Sequence, residues 1–224
     1  MVRDLKSKKL VHYTNAAIKG TIQYGFTALA KILGTIQTKK VVDYGCGTGR
    51  STKFIKELGA EVMGVDIRSD MIASAKKQYP DIVFKLIENA KTPFSNDTFD
   101  LAISTFVQLE MASTNEMELV ANEVFRILKI GGKFIILTVN PESWGNTYQS
   151  FSSNFPKVFA RQSGQKINVK MKTKIGEIKF QDYYWETKDY LKPLENAGFQ
   201  IEEVRKITAE KDPPPFLIIK ALKY

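Results

Sequence analysis

"VVDYGCGTGRS", residues 41–51, is a short apolar run that meets an aspartate and then opens into three glycines at alternate positions. A turn built this way lets backbone approach a ligand closely, because glycine has no Cβ and accepts positive φ. A dinucleotide fingerprint requires G-x-G-x-x-G. Gly45 and Gly47 satisfy its first two positions, but Arg50 takes the third and Gly49 falls one place early. A Walker phosphate loop would end in Gly-Lys-Ser/Thr, which "GRS" does not supply. The stretch carries instead an acid, Asp43, just before the turn, which suits a ligand with a cationic group rather than a pyrophosphate.

Outward from this loop, short β-branched runs alternate with helical patterns. Residues 40–45, 60–66, 81–87, 99–104 and 133–139 read as buried strands. "STKFIKEL" follows the glycine loop as a helix, and "SDMIASAKKQY" is a second, with Ser69 as its expected N-cap and a stop before Pro80. In "NEMELVANEVFRIL" (115–128), Met117, Val120, Val124 and Ile127 fall on one helical face, and Gly131-Gly132 are expected to end that helix. This alternation predicts an α/β fold, a mostly parallel sheet with helices on both faces.

The rhythm breaks after residue 140. Residues 166–184 alternate as a hairpin, Thr187 is the expected cap of a helix closed by Gly198, and residues 199–207 and 216–222 supply two last strands. The organisation expected is one domain: 1–38 an N-terminal helical cover, 39–140 a cofactor-binding core, 141–184 a substrate-side insertion, and 185–224 a C-terminal helix and final strands.

Composition bounds the function. The 224 residues carry a net charge of +9, with 43% hydrophobic and 25% charged residues, as in an ordinary globular chain. No early stretch is long enough to span a bilayer and no secretory signal is visible, so a cytoplasmic location without membrane association is expected. One cysteine, Cys46, excludes an intramolecular disulfide, and one histidine, His12, excludes a His-rich metal site. Cys46 is expected to fill space in its loop. The positive charge is concentrated: residues 1–40 hold eight Lys/Arg against Asp4, and residues 157–180 hold seven against Glu177. Such blocks either solvate two surfaces or attract an anionic substrate.

The second acid, Asp66, ends the next strand 21 residues after Gly45, where a carboxylate meets the hydroxyls of a ribose. A ribose, a nearby positive charge and no pyrophosphate together describe S-adenosylmethionine. With these features the chain resembles the class I S-adenosylmethionine-dependent methyltransferases, in particular the small-molecule, type 11-like group. The resemblance spans about residues 38–140 in "VVDYGCGTG", "VMGVDIRSDMIASAKK", "IENAKTPFSNDTFDLAISTFVQLE" and "NEVFRILKIGGKFIIL", with an echo in "YYWETKDYLKPLENAGFQIEEV". It implies a Rossmann-like seven-stranded sheet and S-adenosyl-L-methionine as cofactor. By position, it implies that Asp43, Gly45, Gly47 and Gly49 serve the amino-acid end of the cofactor. Asp66 would bind the ribose and Ile67 pack on the adenine. Asn89 stands where the family usually has an aspartate facing the adenine amine, Ala90 would offer its amide to the ring, and Ser104, Thr105 and Phe106 would lie near the reacting methyl. Arg50 is either a neighbour of the cofactor carboxylate or a surface residue.

A base is needed only where the acceptor must lose a proton during attack. His12, Glu110, Tyr13 and Asp182 are the candidates, with His12 and Glu110 foremost. The family's exocyclic-amine DNA methyltransferases carry an Asn/Asp-Pro-Pro-aromatic motif that "STFVQLE" lacks, and its cytosine C5 enzymes need a nucleophilic cysteine there. In this family the segments before the first strand and after the fifth cover the substrate, and both basic blocks fall in them, so a small anionic acceptor is expected. An RNA methyltransferase, a non-catalytic cofactor-binding partner subunit and a nicotinamide-dependent oxidoreductase remain as alternatives. Trp144, Tyr148, Phe151, Phe155 and Phe159 either line an acceptor pocket or form the insertion's own core. Oligomeric state is not readable.

Overall fold

The structure is a computed structural model and describes residues 18–155, 160–209 and 211–224. Helix α1 (Thr21–Leu33) leads into β1 (Lys40–Tyr44), α2 (Arg50–Glu57), β2 (Glu61–Asp66), α3 (Ser69–Gln78), β3 (Val83–Leu86) and β4 (Phe99–Thr105). Then come α4 (Thr114–Ile127), β5 (Leu128–Val139), β6 (Phe151–Asn154), β7 (Lys166–Thr173), β8 (Gly176–Tyr183), α5 (Thr187–Asn196), β9 (Gln200–Ile207) and β10 (Phe216–Leu222). Seven strands form one sheet in the order β3-β2-β1-β4-β5-β10-β9. The pairs from β3 to β5 are parallel, while β10 runs antiparallel to both β5 and β9.

Strand alternation divides the core between the two faces of this sheet. Val42, Tyr44, Ala102, Phe134 and Ile136 point to one side, where α4 contributes Met117, Val120 and Val124 and α5 contributes Tyr190 and Leu194. Their neighbours Val41, Leu101, Ile103, Ile135 and Leu137 point to the other, against Ile22, Phe26 and Leu29 of α1 and Ile55 of α2. Near-continuous apolar strands are the consequence of covering a parallel sheet on both faces.

Three local expectations differ. Arg68, not Ser69, is the N-cap of α3, and Ser69 is its first helical residue; Asp70 meets the first turn instead, accepting from the Met71 N–H at 2.9 Å and the Arg68 guanidinium. Glu186, not Thr187, caps α5 through a capping box in which the Asp189 carboxylate accepts the Glu186 N–H at 2.8 Å. Helix α4 stops at Ile127, and Gly131-Gly132 lie inside a bulged β5, where the Gly131 N–H donates to the Lys223 carbonyl at 2.8 Å. The insertion forms the expected β7–β8 hairpin plus a third strand, β6, that the sequence reading missed.

This small sheet packs its apolar face over one end of the large one. Ile167, Val169 and Tyr184 join Leu109, Val139 and Trp144 in a separate core. Tyr148 and Phe151 pack against α1 and β10 instead, so the insertion's aromatics mostly build core. Phe159 lies outside the described residues.

Candidate active site

The order β2-β1-β4 puts a topological switch point at β1, and the loops leaving the carboxyl ends of β1 to β4 converge there. They enclose a cavity of about 350 Å³, within the ordinary size of small-molecule sites, whose walls include Tyr44, Gly45, Gly47, Asp66, Ile67, Asn89, Ala90, Thr105, Phe106 and Glu110.

The glycine loop is anchored at both ends. The Gly45 and Cys46 N–H groups donate to the Val65 carbonyl at 2.8 and 2.9 Å. The Gly47 N–H donates to Asp66 Oδ2 at 2.8 Å, and the Arg68 N–H donates to Asp66 Oδ1 at 2.8 Å. Each Asp66 oxygen therefore keeps a further lone pair. Burial pushes the Asp66 carboxyl up, against these two backbone donors. Gly47, at φ +53, has open space where a side chain would stand. Gly49, at φ +86, does not line the cavity; a Cβ there would lie 2.8 Å from the Phe84 ring, so its glycine serves packing of the loop on β3.

Asp43 lies fully buried behind the loop rather than on the cavity wall. Its Oδ2 accepts from the Ser51 and Thr52 hydroxyls at 2.6 Å each, while Oδ1 has no partner among the described residues. Loss of water raises its carboxyl from the ordinary 3.8 to about 6, with the hydroxyls pulling against burial. Cys46 fills space, as expected: it packs with Ile72, Ala75, Ile82 and Phe84, and burial pushes its thiol up.

On the opposite wall, Asn89 and Ala90 both adopt left-handed backbone, and the Tyr44 hydroxyl pins them by donating to the Ala90 carbonyl at 2.5 Å. Ile67 exposes half of its surface into the same space. Ser104 is fully buried and off the wall, accepting from the Gln108 side chain at 3.2 Å; Thr105 and Phe106 are on the wall. Phe106 holds φ +60, a strained conformation for an aromatic residue worth roughly 1–3 kcal/mol. Its N–H bond to the Leu137 carbonyl at 2.8 Å and its edge contact with the Phe216 ring maintain it.

Phe106 also borders a second, smaller chamber of about 50 Å³ under the three-stranded sheet, which shares Arg50, Phe106 and Glu110 with the first. Its other walls include Trp144, Phe151, Val169, Met171, Phe180, Asp182 and Phe216. Arg50, left open between cofactor neighbour and surface residue, is half-buried on both walls, with its guanidinium 5.7 Å from the Phe26 ring centroid. Glu110 and Asp182, two of the candidate bases, are thus brought to one chamber, whereas His12 and Tyr13 lie outside the described residues.

The described lysines on the insertion's strands are turned away from it. Along β7 and β8, Lys166, Lys170, Lys172 and Lys179 alternate outward to solvent, while Val169, Met171, Phe180 and Asp182 face in. Arg161 is spent on structure, donating to the Pro141 and Trp144 carbonyls. Sequence reasoning missed Tyr44 and the α4 residues Glu116, Leu119 and Val120 as cavity walls. Tyr44 sat in the opening motif, and strand alternation from Val42 placed it on the same face; the contribution of α4 follows only from the tertiary packing.

Comparison with known proteins agrees with this architecture. A family model described as a methyltransferase domain matches residues 41–132. An N-demethylindolmycin N-methyltransferase of Streptomyces griseus is 31% identical over 180 residues, covering 78% of this chain and 73% of that protein. A demethylmenaquinone methyltransferase of Tropheryma whipplei is 30% identical over 112 residues, covering 49% and 45%. Among solved structures, an S-adenosylmethionine-dependent methyltransferase from Mesorhizobium loti superimposes with a TM-score of 0.65 at 21% identity, covering 89% and 98% of the two chains. Among the described residues no helix is long and apolar enough to cross a membrane. A glycine loop and an acid at the ends of adjacent parallel strands, with a relative this similar over most of both chains, place the protein in the small-molecule group of the class I S-adenosylmethionine-dependent methyltransferases.

Proposed function

We propose that the larger cavity holds S-adenosylmethionine and that a small-molecule acceptor reaches its methyl group from the Phe106 side. The carrying observation is the pairing, on one wall, of Asp66 with the open face of Gly47. A carboxylate with lone pairs left over beside backbone that a ligand can touch suits a ribose with a chain running past the loop. The rest of the wall fits the same occupant. Ile67 offers an apolar face to a base, Ala90 offers a backbone amide, and the Asn89 side chain can accept from an exocyclic amine. Gly45 and Gly47 supply backbone to the amino-acid end. Asp43 acts from behind the loop: its charge favours a cationic group there without contact, and Ser51 and Thr52 hold it in place. Gly49 and Ser104 serve by packing and by fixing the Gln108 turn.

Bound S-adenosylmethionine supplies an electrophilic methyl on a sulfonium. What the chain adds is alignment, which can contribute up to roughly 7–11 kcal/mol of the barrier. Phe106, held rigidly at its strained φ, limits approach from the acceptor side, and the small sheet excludes water from that side. The names of the similar proteins favour a small organic acceptor. The anionic acceptor expected from the basic segments finds Arg50 on the shared wall, but the lysines of β7 and β8 point away from it. Those outward lysines are the observation that keeps an RNA reading second.

Calorimetric titration of S-adenosylhomocysteine into wild type and Asp66→Ala, with NAD(H) as control, tests the cavity. Binding by wild type, weakened by about 1.5–3 kcal/mol in the variant, is expected. Label transfer from S-adenosylmethionine to small molecules then separates the readings. Methylation of RNA that collapses steeply with salt would replace the small-molecule acceptor, and binding without transfer to any acceptor would favour the partner subunit.

A further inference from the structure

We infer that the small chamber seats an oxygen of the methyl acceptor, a neutral carbonyl-type atom on a flat or apolar body, against the indole N–H of Trp144. The inference rests on the cofactor reading above and extends it to the acceptor's chemistry. The chain has two tryptophans, Trp144 and Trp185, and both are buried, at 1% and 6% exposure. The Trp185 Nε1–H donates to the Met111 carbonyl at 3.2 Å. The Trp144 Nε1–H, by contrast, has no acceptor among the described residues. Buried indole N–H groups usually find a partner, because an orphaned donor has lost its water and gained nothing in return.

Trp144 packs in one cluster with Leu109, Val139, Ile167 and Val169, whose side chains are hydrocarbon and accept nothing. Leu109, Val139 and Val169 line the small chamber together with Trp144, so the chamber is the space beside the indole in which an accepting atom can sit. Arg50, Glu110 and Asp182 reach the same wall, but each already interacts with another group of the protein, and none is assigned to the ligand. The rest of the lining is apolar or aromatic, and a charged occupant would give up hydration that such a wall does not replace. An ammonium would also bring a donor to a donor. The size suits a carbonyl and its nearest carbons: about 50 Å³ admits on the order of four water-sized groups, and a larger body extends toward the shared opening at Phe106. Trp144 is thus a positioning and specificity-determining residue that fixes the oxygen and leaves the rest of the acceptor turned toward the methyl. An analogue without the oxygen fills the chamber but leaves the donor buried and unpaired, which is how a site rejects an isostere.

The test titrates three flat probes of one shape into the full chain, with and without S-adenosylhomocysteine: acetophenone with its carbonyl, α-methylstyrene without it, and benzamidine, a cation that only donates. Acetophenone should bind at least about fivefold tighter than either, the worth of one net hydrogen bond. Isotope labelling of the tryptophans gives two indole N–H signals in NMR spectra, and Trp144→Phe identifies which belongs to Trp144. That signal should lie further downfield with acetophenone than with α-methylstyrene, whose ring current is the same, while the Trp185 signal serves as reference. Site-specific replacement of the Trp144 indole by benzothiophene keeps the shape and removes the N–H. It should abolish the preference while S-adenosylhomocysteine affinity stays within twofold. Thermal melting checks that this variant folds; if it does not, the wild-type affinities and indole signal carry the test. No preference for the ketone, a Trp144 signal no further downfield with it than with the hydrocarbon, or a preference that survives in the folded benzothiophene variant would overturn the inference. Ketone preference with the Trp144 shift, while S-adenosylhomocysteine fails to bind, would support the chamber and indict only the cofactor reading.

Discussion

Asp43 offers the sharpest energetic test, because its carboxylate is buried with one oxygen unpartnered among the described residues. Replacing it with asparagine keeps an oxygen for the Ser51 and Thr52 hydroxyls and removes the charge. In the folded chain the group titrates at about 6, against 3.8 when solvated. Two pKa units correspond to roughly 3 kcal/mol of disfavoured ionisation. Because the folded value is the higher one, the associated stability is fully present below the unfolded pKa and is lost as pH rises through the folded one. From about pH 4.5 to about pH 7.5, wild type should therefore lose about 2 kcal/mol relative to Asp43→Asn. Urea unfolding of both proteins across that window measures the difference, and the common pH dependence of all other groups cancels. A flat difference, or one that grows in favour of wild type with rising pH, would refute the reasoning. Repeating the series with saturating S-adenosylhomocysteine should shrink the difference, since the ligand's ammonium favours the ionised carboxylate.

Two glycines of one loop should fail in different ways. Gly47→Ala places its methyl in open cavity space and costs about 1–2 kcal/mol in backbone strain, so calorimetry should show weakened S-adenosylhomocysteine binding with modest loss of stability. Gly49→Ala drives a methyl against the Phe84 and Tyr79 rings, so thermal melting should show the larger stability loss of the pair. On the far side of the sheet, Glu123 accepts from the Thr92 N–H and hydroxyl at 2.7 and 2.6 Å and pairs with Arg126. Glu123→Ala should cost roughly 1–3 kcal/mol in urea unfolding while leaving ligand affinity nearly unchanged.

The parts of the fold that repeat a period were legible in the sequence. The five parallel strands and the buried face of α4 follow from apolar spacing alone, and the glycine loop with Asp66 located the larger cavity. Helix boundaries were not, because Arg68 and Glu186 displace the hydroxyl caps expected at Ser69 and Thr187 through side-chain bonds that spacing does not encode. Residues 151–154 were missed as a strand because "FSSN" is short and polar, and its pairing with β7 is what makes it one. Charge was legible as a block but not by the face it occupies. A block of lysines suggested an anion site, yet in a two-residue alternation the lysines and the site residues of β7 and β8 necessarily point to opposite faces. The chamber was legible only in pieces, as Glu110, Asp182, Trp144 and Phe151, since it is assembled from α1, α2, the turn after β4, β5, β6, β7, β8 and β10.

The most direct test of the account is a crystal structure of the chain with S-adenosylhomocysteine. The account predicts ribose hydroxyls on Asp66, the base between Ile67 and Ala90, and the thioether sulfur at Phe106, facing the opening that Arg50 and Glu110 share with the chamber. Ligand density elsewhere, or a sulfur turned away from Phe106, would contradict it.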